Sequence, residues 1–174
     1  ENIILLRVVD WLRELENNSI EAIQELVANN LRLFEEALQN RMGAAKFFVF
    51  ILPYNESKYS AEINSIILQA NNLALSFSEK ILGVSIFDVS NELSYYQISQ
   101  MYDEKQDEIG HIPYALESFH CLGTMVARKI VSFLKPTFKV IVVDCDDTLW
   151  DGVVGEIGAE NVRVDKPYLQ FQQF

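Results

Sequence analysis

Three carboxylates, Asp144, Asp146 and Asp147, fall within four residues in the stretch "KVIVVDCDDTLWDGVVGE" at 139–156. Like charges this close repel, so the cluster is destabilising unless a cation, or a group that needs protons moved, lies among them. Asp144 and Asp146 are two apart. In an extended backbone they point the same way, and across a turn they can each offer a carboxylate to one cation. Hard oxygen ligands favour Mg²⁺, which keeps several waters and accepts a substrate phosphate. For a phosphoryl group, one carboxylate can act as the in-line nucleophile, giving an aspartyl-phosphate. The second can protonate the leaving oxygen and later activate water. Thr148 can hydrogen-bond phosphate or fix the turn, and Gly152, Gly155 and Gly158 allow a tight, mobile hairpin over the site. A solvated acidic turn is the plainer reading, but D-x-D-x-T after an apolar strand and before a glycine-bearing segment is rare by chance.

The elements that must position these residues alternate. Residues 3–9 read as a buried strand and 20–40 show apolar residues at helical spacing. Residues 46–52 read as a strand, 60–82 as a helix capped by Ser60, and 84–89 as a strand. Residues 90–114 are polar and aromatic, with short helical turns at most and a break at Pro113, and form the expected functional surface loop. Within them "DEKQDE" (103–108) reads as a solvated loop. A long amphipathic helix at 115–136 stops at Pro136, and 138–144 reads as the strand that ends on Asp144. Strands apolar at nearly every residue, separated by helices, imply an α/β fold with a three-layer arrangement: a parallel sheet covered on both faces. Ligands bind outside the carboxyl ends of such strands, where Asp144 stands. Phe47, Phe48, Phe50, Phe77 and Phe87 are assigned to the core. The tail reads as a short strand and the first turns of a helix near Pro167, as expected of a piece of a longer protein.

The 174 residues suffice for one domain and part of another. With 49% hydrophobic and 22% charged residues, disorder is excluded. A net charge of −11 argues against a protein that tracks nucleic-acid phosphates, which clustered Lys and Arg must do. Two cysteines, Cys121 and Cys145, suggest no disulfide framework and fit a reducing cytosol. No membrane span and no signal peptide are read from the sequence, so the expected location is cytoplasmic.

The pattern "hhhhDxDxT" with a glycine-bearing flap resembles the first signature motif of the haloacid dehalogenase superfamily. More narrowly, the string at 139–156 resembles the FkbH-like branch found beside or within polyketide and non-ribosomal peptide synthases. "ILLRVVDWLR" (4–13) and "GHIPYALESF" (110–119) are similar to that branch too. The resemblance implies an SGNH-hydrolase-like (Rossmann-like) domain at 1–136 and the beginning of a truncated dehalogenase-like domain at 137–174. It implies a Mg²⁺-dependent glyceryl transferase/phosphatase that removes phosphate from 1,3-bisphosphoglycerate and loads the glyceryl unit onto an acyl carrier protein, among other modules of a megasynthase. By position, Asp144 would be the nucleophile and a Mg²⁺ ligand, and Asp146 the acid/base and second ligand. Cys145 would carry the acyl thioester, or point into a core as small buried cysteines do.

Asp147 stands where the branch has Asn, and Ile157 where its flap is acidic. The chain also ends before the phosphate-binding Ser/Thr, the Lys and the later acidic pair of a dehalogenase-type site, so the piece alone is expected to be inactive. Alternatives are a plain phosphatase and a non-catalytic SGNH-like docking module for the carrier. A residual esterase is disfavoured, because no Ser follows the first strand and His111 alone makes no triad. His111 reads as structural or carrier-contacting, and Arg7, Asp10 and Trp11 as an anchor at the strand end.

Overall fold

Apolar runs four to six residues long, each followed by a helix-period segment, give three short parallel strands in the computed structural model, which describes residues 2–13, 15, 19–40, 45–136 and 139–173. The strands are β1 (Asn2–Leu6), β2 (Phe47–Ile51) and β3 (Val84–Asp88), in the order β1-β2-β3. Leu5 lies opposite Phe50, and Phe50 opposite Phe87. The chain divides into two compact units, Glu1–Leu134 and Lys135–Phe174, and the sheet lies in the first.

Helix α1 (Ile20–Gln39) starts where the Ser19 hydroxyl accepts from Ala22 N, 3.3 Å away, and buries Ile23, Val27, Leu31 and Leu38 on one stripe. Helix α2 (Ala61–Lys80) repeats the device. Ser60 accepts from Ile63 N at 3.3 Å, and Ile67, Ala70, Ala74 and Phe77 are buried. Both helices cover one face of the sheet, packing against Leu6, Val49, Ile51, Val84 and Ile86. On the other face, Phe48 and Phe50 meet Leu122 and Met125 of α5 (Leu116–Leu134), with α3 (Ser90–Leu93) beside them. Alternation along β2 thus feeds both cores, so its five residues are all buried or half-buried. The α5 side of β1 is uncovered: Ile3 and Leu5 are 54% and 57% exposed.

Three expectations need correction. The first strand ends at Leu6, not Val9, because Val8 and Val9 turn into a 3-10 segment (Val8–Leu12) and are buried against α1 and α2. An apolar run does not separate a strand from a buried turn. Residues 103–108 are not a solvated loop but most of α4 (Glu104–Gly110), whose cap Asp103 accepts from Gln106 N at 3.0 Å. Residues 139–144 form no strand; Phe138 lies outside the described residues. Val140, Ile141 and Val142 are 74%, 82% and 89% exposed. A strand is made by hydrogen bonds to its neighbours, and no described segment supplies them here.

In the second unit the short helices α6 (Val154–Ile157) and α7 (Lys166–Gln172) follow the acidic segment, and α7 begins one residue before Pro167 as expected. Among the described residues no helix is long and apolar enough to cross a membrane.

Candidate functional site

The acidic segment folds back on itself through its own backbone. Thr148 N and Leu149 N both donate to the Cys145 carbonyl, at 3.2 and 2.8 Å. Asp147 sits in the left-handed region at φ 54°, and its Oδ1 accepts from Gly152 N at 2.8 Å. Gly152 itself is at φ 106°, which an L side chain rarely adopts. Asp151 and Arg163 exchange backbone hydrogen bonds of 2.8 and 3.2 Å and pair through their side chains, closing the glycine-bearing segment into a loop. Gln172 of α7 donates to the Leu149 carbonyl at 2.5 Å.

Within this frame the carboxylates differ. Asp146 is half-buried and its Oδ1 accepts from Trp150 Nε1 at 3.1 Å and from Val154 N at 3.2 Å. Asp144 is exposed and its Oδ1 accepts from Cys145 N at 2.8 Å. Among the described residues the Oδ2 atoms of both make no hydrogen bond. Each is therefore held by one oxygen and presents the other. Cys145 is exposed, so it is not a core residue here, and Thr148 is half-buried. No group of three or more His, Cys, Asp or Glu among the described residues is arranged to hold a metal. Two carboxylates with all-oxygen character fit Mg²⁺, which binds through one or two carboxylates plus waters and phosphate.

A second constellation lies in the first unit, at the carboxyl ends of β1 and β2. Arg7, only 9% exposed, pairs with Asp10 through Nη2 and also donates Nε to Asp10 Oδ1 at 3.0 Å. Arg13 donates Nε to the same oxygen at 2.9 Å and Nη2 to Asp107 Oδ1 at 2.7 Å. Its Nη1 lies 2.8 Å from His111 Nδ1. Arginine has no acceptor, so in this contact Nη1 donates and Nδ1 accepts. Burial penalises the charged forms of Arg7 and Asp107. The Asp10 carboxylate outweighs that for Arg7 and raises its pKa, and Arg13 outweighs it for Asp107 and lowers its pKa. Trp11 packs against the α1–α2 core instead of joining this set. Arg13, Lys58 and Asp107 were not singled out from the sequence. A charged residue closing an apolar strand, as Arg7 does, is the signal that marks the place.

No family model matches the sequence. Over 90 residues, 48% of the chain, it is 32% identical to the cell cycle checkpoint protein RAD1 of Homo sapiens, and equally to that of Pongo abelii. The chain spans about a third of the length of these curated relatives, 31%, too little to assign a family. Among solved structures, it is similar to the N-terminal part of the protein BF1531 from Bacteroides fragilis, described as containing a phosphatase domain complexed with Mg. The TM-score is 0.74 at 17% identity, over 98% of this chain and 49% of that one. That likeness shows the fold.

Proposed function

We propose that this chain forms part of a Mg²⁺-dependent phosphatase of the haloacid dehalogenase type, and more narrowly of an FkbH-like glyceryl transferase/phosphatase acting on 1,3-bisphosphoglycerate and an acyl carrier protein. One observation carries it: Asp144 and Asp146 flank an exposed thiol, each with one oxygen fixed and one free, in a loop set by Asp147 and Gly152. The fold shared with part of a protein described as containing a phosphatase domain complexed with Mg supports the same reading.

Asp144 would hold the metal through its carboxylate and Asp146 through its main-chain carbonyl, and the metal when bound would neutralise phosphate charge. The free oxygen of Asp144 attacks phosphorus, and the bond from phosphorus to the ester oxygen breaks. Asp146 acts as the acid and gives a proton to the departing oxygen. It then takes one from the water that cleaves the aspartyl-phosphate, which returns both carboxylates to their starting state. The Trp150 and Val154 donors keep Asp146 in one rotamer for both transfers. Thr148 would hydrogen-bond the phosphate. Transfer is a separate step: the Cys145 thiolate attacks the acyl-phosphate carbonyl, the carbon–oxygen bond to phosphate breaks, and inorganic phosphate leaves. The carrier's thiol then displaces Cys145 by thioester exchange.

The test is phosphate release and intact mass after incubating the complete protein that carries this chain with 1,3-bisphosphoglycerate and Mg²⁺, with and without carrier. Asp144→Asn should abolish phosphoester hydrolysis with the circular dichroism spectrum unchanged, and Cys145→Ala should abolish the glyceryl adduct. Unchanged turnover in Asp144→Asn overturns the phosphatase reading. Phosphate release without any acyl adduct overturns the transferase and leaves the plain phosphatase.

A further inference from the structure

We infer that the carboxyl ends of β1 and β2 hold a second ligand site, which takes a small oxyanion, a carboxylate or a phosphate, between the Arg13 guanidinium, the Lys58 ammonium and the hydroxyls of Tyr59 and Tyr102.

Donors come first. Among the described residues Arg7, Arg13 and Lys58 pair with Asp10 and Asp107, and Glu56 lies close enough to act on Tyr102, so the charges balance and the unused donors mark the site. Arg7 Nη1 makes no hydrogen bond among the described residues, its guanidinium lying over the Tyr114 ring, and Arg13 makes four contacts through Nε, Nη1 and Nη2, which leaves one of its five N–H groups. The Lys58 ammonium has a 3.7 Å approach to Asp107 Oδ2 and no hydrogen bond among the described residues, and its side chain is 32% exposed. The hydroxyls of Tyr59 and Tyr102 likewise make none, whereas Tyr54 donates to Asn64 at 3.1 Å. Burial raises the pKa of Tyr59 and pushes that of Tyr102 up to about 12, so both stay protonated donors at neutral pH.

Space comes second. These residues line a cavity of about 40 Å³, several times what one water needs and enough for the oxygens of a carboxylate or phosphate. Tyr54 and Tyr102 also line a larger groove of about 1040 Å³, so the anion can be the head of a bigger molecule. In that groove the buried Oδ1 of Asn71 has no hydrogen-bond partner, an acceptor for such a molecule's N–H or O–H. The place is where parallel sheets bind ligands, and the anion site is independent of the acidic loop's role.

The test titrates sodium phosphate and sodium acetate separately into the full chain, against sodium chloride at matched ionic strength. The readouts are calorimetry and the NMR shifts of the arginine Nε–H and tyrosine ring signals. Saturable binding of either anion is expected, with phosphate alone or acetate alone naming the source. Arg13→Gln and Lys58→Gln should each weaken it by about tenfold, as loss of one charged hydrogen bond does. If Arg13→Gln does not fold, Lys58→Gln decides alone, since its ammonium holds no hydrogen bond that the fold needs. No saturation above the chloride control, or undiminished affinity in every folded variant, overturns the inference.

Discussion

Arg13 Nη2 lies 2.7 Å from Asp107 Oδ1 although the two residues are 94 apart in sequence. The contact joins the turn that follows β1 to α4, the helix embedded in the long polar segment. Arg7 and Lys58 approach the same carboxylate, at 3.5 and 3.7 Å. Charge thereby adds to the apolar anchors, Leu93, Met101 and Tyr114 among them, that hold the same segment against the sheet.

That fastening should be lost in acid. Arg13, with Arg7 and Lys58, holds the Asp107 pKa below the usual carboxylate value despite the opposing effect of burial. A depressed folded-state pKa contributes stability that is complete above the unfolded value and is lost as pH falls through the folded one. Urea midpoints should therefore drop as pH falls below the ordinary aspartate range, and Asp107→Asn should flatten part of that fall while lowering stability at neutral pH.

Tyr114 is 3% exposed and donates its hydroxyl to the Pro53 carbonyl at 2.5 Å. Tyr114→Phe removes the partner of that half-buried carbonyl. A loss of about 1–3 kcal/mol is expected, read as a lower urea midpoint at unchanged slope.

Phe77 is fully buried between α2 and the sheet, among Ile67, Ala74, Val84 and their neighbours. Phe77→Ala should cost about 3–5 kcal/mol, because tightly packed surroundings only partly close the space. Equilibrium unfolding of the two proteins measures it.

Gly152 and Gly155 offer a paired test in the acidic loop. A Cβ at Gly152 would come within 2.4 Å of Ile157 Cδ1 at φ +106°, whereas one at Gly155 meets nothing within 4 Å. Gly152→Ala should cost on the order of 1–3 kcal/mol locally and speed amide exchange at Gly152 and Arg163. Gly155→Ala should leave both rates as they are.

Much of the first unit was legible because its signals are local. Ser19 and Ser60 mark helix starts, the apolar stripes of α1 and α2 recur at helical spacing, and β2 is apolar throughout. The Arg13–Asp107 contact was not legible, since neither residue's neighbours in sequence hint at a partner so far along the chain. The segment before Asp144 misled for a related reason. "KVIVV" has every local mark of a buried strand, but pairing is a property of two segments, and among the described residues none pairs with it. In the acidic loop, sequence suggested that the carboxylates belong together but not how each is held: Trp150 and Val154 bond Asp146, while among the described residues Asp144 is met by its neighbour's amide.

Asp147 carries one more consequence. Its left-handed backbone at φ 54° is the conformation that aspartate and asparagine share more readily than other side chains, and the atom that accepts from Gly152 N, Oδ1, exists in both. Exchange between the two leaves the turn's shape intact and alters only the charge beside Asp146. The loop can thus be retuned electrostatically through a single codon position, without refolding.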